Sequence, residues 1–221
     1  MTKWEKLIVA LDLENKKKIQ NAVNKLFRKG VKFKIGSIAF TKFGPSLVKE
    51  MVGKGVDVFL DLKLYDIPNT MKEASRSYVQ MGCWAFTVHI KSGAKALREV
   101  KKEITATARK LKARRPLVLG VTELTSESAD KKSVLSLARL AKACGLDGVI
   151  ASAKEAALIK RNCRLKVITP GIRAGGGQRG DQKRVATAGF AFAQGADYIV
   201  VGRPIINEKD YLKAARDILA E

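Results

Sequence analysis

The sequence predicts a single (β/α)8 barrel over residues 1–221, and three observations carry that prediction. Eight short runs rich in apolar and β-branched residues recur along the chain, at 7–11, 33–38, 56–62, 85–90, 117–121, 148–152, 166–169 and 198–202. Amphipathic helical patterns alternate with them, for example at 17–28, 70–81, 97–113 and 134–144. Polar residues able to do chemistry gather at the C-terminal ends of the runs. Strands that are apolar on both faces and separated by helices form parallel sheets. Eight such units of about 28 residues each match a barrel at the short end of its size range. A doubly wound open sheet is the competing architecture, but its Gly-rich dinucleotide fingerprint is missing. The first run continues instead as Leu11-Asp12-Leu13-Glu14-Asn15.

Each element has its own signal. The first strand runs into Asp12, and the helix after it is closed by Gly30 in the position of a C-terminal cap. Lys34 lies within the second strand. The third run, from Val56, leads into Asp61 and Lys63, which are two apart and so share one strand face. Asp66 follows on the turn that Pro68 enforces. The helix at 70–81 ends at Gly82, the fourth strand ends at His89, and the fifth is followed by Thr122 and Thr125. Gly145 closes the helix at 134–144. The interval between the sixth and seventh strands is the shortest, so the helix there, around 155–160, is expected to be small. Pro170-Gly171-Ile172-Arg173 follows the seventh strand, Gly195 closes the next helix, and Gly202-Arg203 ends the eighth strand.

Composition narrows the functional classes. No apolar segment approaches the roughly 20 residues that span a bilayer, and Met1 to Lys6 lacks the apolar core of a signal peptide. Cys83, Cys144 and Cys163 form no CxxC pair and suit a reducing compartment, so a cytoplasmic protein is expected. One histidine excludes a His-rich metal site and leaves a carboxylate-bound Mg²⁺ open. The charge is unusual: 43 Lys and Arg against 21 Asp and Glu, formally +22. A solvated basic surface, phosphate neutralisation on a nucleic acid, and attraction of a small anionic substrate all fit it. The excess is spread along the chain and not gathered in a tail, which favours the first.

The C-terminal strand ends converge on one mouth in a barrel, and active sites are built there. Asp61, Lys63 and Asp66 crowd three charges into that mouth. Such crowding is unfavourable unless the charges are paired or used. A salt bridge closing the barrel top is the structural alternative. The segment 169–182, TPGIRAGGGQRGDQ, is Gly-rich, and VGRPI follows the eighth strand. Loops after strands 7 and 8 commonly grip phosphate, with glycine allowing close approach and Arg203 supplying a bidentate contact. A phosphorylated small molecule is therefore the expected substrate class. His89 reads as a hydrogen-bonded residue at a strand end, and the cysteines read as buried apolar residues.

These residues resemble the orotidine 5′-phosphate decarboxylase family from Leu7 to Ile205. The matching motifs are LIVALD, FKIG, DLKLYDIPNT, TVH, GVTELTS, TPGIR…GDQ and VGRPI, in family order. The resemblance implies a homodimeric, cofactor-free, metal-free barrel that converts orotidine 5′-phosphate to UMP and CO₂, the last step of UMP synthesis. It implies that Asp12 holds a ribose hydroxyl, and that Lys34, Asp61, Lys63 and Asp66 form a charged array with Lys63 as proton donor. It further implies that Pro170, Thr125, Arg173, Gln182, Gly202 and Arg203 bind the nucleotide, with Gln178 a second candidate for the closing glutamine. Asp66, Ile67 and Thr70 would serve the neighbouring subunit's site. Two positions depart from the family pattern: Tyr65 stands where histidine is frequent, and Ala188 where proline is common. Two rivals remain. A Mg²⁺-dependent sugar-phosphate decarboxylase or aldolase of the same barrel, such as a 3-keto-L-gulonate 6-phosphate decarboxylase, carries a similar Asp-x-Lys-x-x-Asp element. A basic nucleic-acid-binding protein would need a localised basic face and stacking aromatics, yet aromatic residues are 6%. No nucleic-acid or membrane partner is expected.

Overall fold

A computed structural model describes residues 1–123, 130–173 and 186–221. Eight parallel strands close into a barrel in sequence order: β1 (Leu7–Ala10), β2 (Lys32–Gly36), β3 (Val58–Leu64), β4 (Ala85–His89), β5 (Leu117–Val121), β6 (Gly148–Ile150), β7 (Lys166–Thr169) and β8 (Tyr198–Val201), with β8 paired to β1. Around it lie α1 (Lys16–Leu26), α2 (Ser37–Gly53), α3 (Pro68–Gln80), α4 (Gly93–Lys110), α5 (Lys131–Ala143), α6 (Ala153–Cys163), α7 (Ala188–Ala193), α8 (Arg203–Ile206) and α9 (Tyr211–Ala220). The sequence-predicted barrel is the observed one. No helix among the described residues is long and apolar enough to cross a membrane.

The core divides as a barrel demands. A large outer cluster fills the annulus between sheet and helices, with Leu7, Val9, Phe33, Ile35 and Val58 pointing outward from the strands. A smaller inner cluster fills the barrel: Ile8, Ala10, Phe59, Trp84, Leu119, Val121, Ile150, Ile168, Tyr198 and Val200. On β1 the alternation is strict, odd residues outward and even residues inward, which is the period of two expected of a strand. Lys32 and Lys34, two apart on β2, both turn into the barrel. Lys32 sits over the Trp84 and Tyr198 rings at 5.2 and 5.8 Å, with Asp57 at 3.3 Å, and so neutralises its charge at the floor. Lys34 lies one pleat higher, towards the mouth.

The helix ends follow the capping signals. Gly30, Gly82, Gly145 and Gly195 all have positive φ, as C-terminal caps require. Thr187 caps α7 by accepting from the Phe190 N–H at 3.2 Å. Ala188 is thus the first helical residue, a position that proline also tolerates.

Most boundaries shift by a few residues from expectation, as where α4 starts at Gly93 and not at 97, and three of the differences have a local structural cause. β3 starts and ends two residues later than the apolar run, so Lys63, one residue past that run, lies inside the strand with Asp61. Pairing of Leu64 with Val88 extends the ladder across a bulge. β2 stops at Gly36, and Ser37 and Ile38 begin α2, whose course is broken at Gly44 (φ 62°) before Pro45. The helix expected to be small around 155–160 extends over Ala153–Cys163. Glu155 accepts from the Ser152 N–H at 3.0 Å to start it early, and Arg164 ends it in the left-handed conformation.

Candidate active site

A cavity of about 490 Å³ opens at the C-terminal ends of the strands. Its walls divide into three parts. Asp12, Lys34, Asp61 and Lys63 line one side. Phe59, Val121, Ile150 and Val200 form an apolar floor. Pro170, Gly171, Arg173, Gly202 and Arg203 line the other side.

The charged side is a string of alternating sign. Lys34 Nζ lies 3.0 Å from Asp12 Oδ1 and 3.6 Å from Asp61 Oδ2, and Lys63 Nζ lies 3.0 Å from Asp61. Strand register makes this possible: Ala10 pairs with Lys34, and Gly36 with Asp61. Gly36 is itself a requirement. A Cβ there would stand 2.7 Å from Asp12 Oδ1 and 2.9 Å from Lys34 Nζ, so a side chain would displace the pair. Burial pushes the Asp61 carboxyl up, but Lys34, Lys63 and a hydrogen bond from Thr87 outweigh it and hold the group below the usual carboxylate range. Asp61 is therefore ionised at neutral pH.

Lys63 occupies an unusual backbone state, with φ 50°. The left-handed region is unfavourable for a residue with a Cβ. Thr87, buried on β4, compensates: its Oγ1 accepts from the Lys63 N–H at 2.8 Å while its hydroxyl donates to Asp61 Oδ1 at 3.0 Å. One threonine thereby fixes both the bulge and the carboxylate. Sequence reasoning missed it, although the signal was present, since Thr87 lies two residues before His89 on an inward-facing register. The same reasoning missed Glu123, which lines the cavity beyond β5. Glu123 accepts from Lys91 Nζ at 2.7 Å and from Ser133 Oγ at 2.9 Å; the Lys91 bond, with Ser133 adding, holds its carboxyl low against partial burial.

At the opposite end, Gly171 has φ 80° and turns the chain so that Arg173 faces the cavity. Ala186 donates to the Gly171 carbonyl and accepts from the Arg173 N–H at 3.0 Å, so the two ends of the predicted Gly-rich loop are clamped together beside Arg173. Gln178 and Gln182, and also Thr125, lie outside the described residues. His89 faces the rim: its Nδ1 accepts from the Lys91 N–H, and its ring stacks on Tyr65 at 5.1 Å.

Asp66, Ile67 and Thr70 are not brought into this cavity. Asp66 is exposed and accepts from the Ile67 N–H at 2.6 Å. Ile67 and Tyr65 are 66% and 61% exposed. They form an apolar rim next to the mouth.

Two arginines, a Lys–Asp string and an apolar floor at the C-terminal mouth of a closed barrel fit an enzyme for small phosphorylated molecules. The comparisons are more specific. The chain belongs to the orotidine 5′-phosphate decarboxylase / HUMPS family, whose family model matches residues 5–218. It is 44% identical over 213 residues to an orotidine 5′-phosphate decarboxylase of Vibrio cholerae, covering 90% of each chain. It is 41% identical over 226 residues to one of Coxiella burnetii, covering 96% of this chain and 94% of the other. The crystal structure of orotidine 5′-phosphate decarboxylase from Lactobacillus acidophilus superposes with a TM-score of 0.84 at 34% identity, covering 96% of both chains.

Proposed function

We propose that this chain decarboxylates orotidine 5′-phosphate to UMP and CO₂, with Lys63 as the proton donor. The observation that carries this reading is Lys63 Nζ held on the ionised Asp61 inside a cavity whose far wall presents Arg173 and Arg203. The relatives' shared name supports the same substrate.

The geometry suits the reaction. The phosphate would lie between Arg173 and Arg203, where Gly171 and Gly202 leave room for close backbone approach. Asp12 and Lys34 would hold the ribose hydroxyls, and the pyrimidine would lie over the apolar floor with C6 towards Asp61 and Lys63. Loss of CO₂ leaves carbanion character at C6 that the ring delocalises poorly, a barrier that calls for stabilisation on the order of 20 kcal/mol. Lys63 favours that charge electrostatically and then protonates C6, forming the C–H bond as the C–C bond electrons remain on the ring. Asp61, kept ionised, faces the substrate carboxylate, and the repulsion is relieved as neutral CO₂ leaves. Lys34 joins Asp12 to Asp61 and keeps the array rigid.

Asp66 would act in the partner subunit of a homodimer. Its exposure, and the exposed apolar Tyr65 and Ile67 on either side of it in the chain, support a shared interface.

The direct test is the loss of substrate-ring absorbance when orotidine 5′-phosphate is added to EDTA-treated protein. Full turnover is expected. No turnover of this nucleotide, with Mg²⁺-dependent turnover of a 3-keto sugar-acid phosphate, would overturn the assignment.

A further inference from the structure

The fold gathers the positive charge that the sequence spreads out. Between residues 91 and 166 the described residues expose sixteen Lys and Arg side chains and a single acidic one, Asp130. Fourteen of the sixteen have no carboxylate within ion-pair distance among the described residues; Lys91 and Arg114 are the exceptions. The segment from Arg203 to Glu221, by contrast, exposes four basic and four acidic side chains. Residues 1–90 expose eleven basic and four acidic side chains, so the excess is densest, though not confined, between 91 and 166.

It is also ordered. On α4, Lys95, Lys102 and Arg109 recur at intervals of seven, so they form one row along the helix. Lys132 and Arg139 repeat that spacing on α5, and Lys154 and Arg161 on α6. The three helices are adjacent on the barrel wall, and α5 packs against both neighbours. Charges cross the seams: Arg98 of α4 offsets the upward push of burial on Cys144 beyond α5, and Lys142 and Arg139 of α5 do the same for Cys163 of α6. Because the three helices are neighbours, their rows lie side by side on the outer wall of the barrel and run from the mouth side, where Lys91 bonds the cavity-lining Glu123, towards its other end.

We propose that the α4–α6 face docks the sugar–phosphate backbone of a nucleic-acid duplex, bound by charge without sequence readout. Charge complementarity argues for a polyanion, and what the face lacks selects among polyanions. Leu111 is the one large apolar side chain among its exposed described residues, and no aromatic is exposed there. A protein interface needs an apolar core patch, an interfacial helix needs an apolar face to insert, and single strands are held by stacking. Duplex backbones require none of these, and their partners are polar and strongly basic. The aromatic-poor composition that argues against base recognition is compatible with this mode.

The test uses the full chain and a fluorescein-labelled duplex of about 20 base pairs, read by anisotropy across a salt series. Log affinity should fall linearly with log salt. The quadruple variant Lys102→Glu, Arg109→Glu, Arg139→Glu, Arg161→Glu should bind at least about a hundredfold more weakly at 0.1 M salt, with a slope shallower by up to about 3.6. Its decarboxylase rate and melting temperature should match the parent, because every altered side chain is exposed and remote from the cavity lining. Four results would overturn the proposal: no binding by the parent, equal binding by the variant, displacement of the duplex by UMP, or capture of anionic phospholipid vesicles or polyglutamate in preference to the duplex. None of them bears on whether the cavity turns over orotidine 5′-phosphate.

Discussion

Replacing Lys34 by Met tests whether the charged string is a coupled unit. Lys34 and Asp61 are 11% and 12% exposed, so solvent screens their 3.6 Å interaction poorly. At an effective dielectric of about 20, such a pair is worth roughly 4–5 kcal/mol. Removing the ammonium also removes its own burial penalty, and the more exposed Asp12 recovers water. The net destabilisation at neutral pH is then about 2–4 kcal/mol, near the range for breaking a buried pair. The pH dependence has a definite sign. In the parent, the Asp61 carboxyl titrates below its unfolded value, so its contribution to stability is present above about pH 4 and is lost as pH falls through the lowered folded value. Without Lys34 the folded value rises, and acidification neutralises a carboxylate that the fold no longer compensates. The gap between parent and variant should therefore be widest near pH 7–8 and narrow towards pH 4–5. Urea denaturation of both proteins across that range measures it. A gap under about 1 kcal/mol at neutral pH, the value of a surface pair, would refute the coupling. So would a gap independent of pH.

Other expectations follow from the same geometry. Lys63→Ala should nearly abolish turnover while UMP binding, measured calorimetrically, changes little; substantial residual decarboxylation would remove this lysine from the chemistry. Arg203→Ala should impair the phosphorylated substrate by roughly 1.5–3 kcal/mol in kcat/KM and leave slow reaction of the unphosphorylated nucleoside unchanged; equal impairment of both would place Arg203 elsewhere. Mixing the inactive variants Lys63→Ala and Asp66→Ala under subunit exchange should restore about a quarter of parental activity, since about half the dimers are mixed and each has one intact site. No recovery despite verified exchange would mean that Asp66 does not act in trans.

Much of this was legible in the sequence, for a physical reason. The barrel repeats one simple unit, so strand and helix periods, with glycine closing several of the helices, determine it almost alone. The charged string was legible because charges at the end of an apolar run stand out. Thr87 did not stand out, because threonine is an ordinary strand residue and its role depends on which strand lies beside β3. Lys32 was hidden for the same reason: its charge makes sense only once Trp84, Tyr198 and Asp57 surround it. The end of β3 was misplaced because a bulge breaks the alternation that sequence reading relies on. The basic face was missed because charges counted along a chain do not reveal which helices become neighbours.

The bulge also bears on why the site holds its charges so closely. A left-handed lysine is unfavourable by an amount on the order of 1–3 kcal/mol, and burial alone would disfavour the Asp61 carboxylate. They persist because Thr87 ties them to β4 and because Gly36 leaves the space that Asp12 and Lys34 occupy. Two acids and two bases balance within the string, so the cluster is neutral as a whole while each charge remains fixed in position. A bound substrate upsets that balance at one point only, where its carboxylate would meet Asp61. Its phosphate would be answered separately by the arginines across the cavity. Binding energy gathered at the phosphate would then be set against strain at C6. The apolar floor between them keeps the local dielectric low, which strengthens both the repulsion and its relief. The unfavourable backbone at Lys63 is thus the local consequence of placing an ammonium against a carboxylate at the end of the strand.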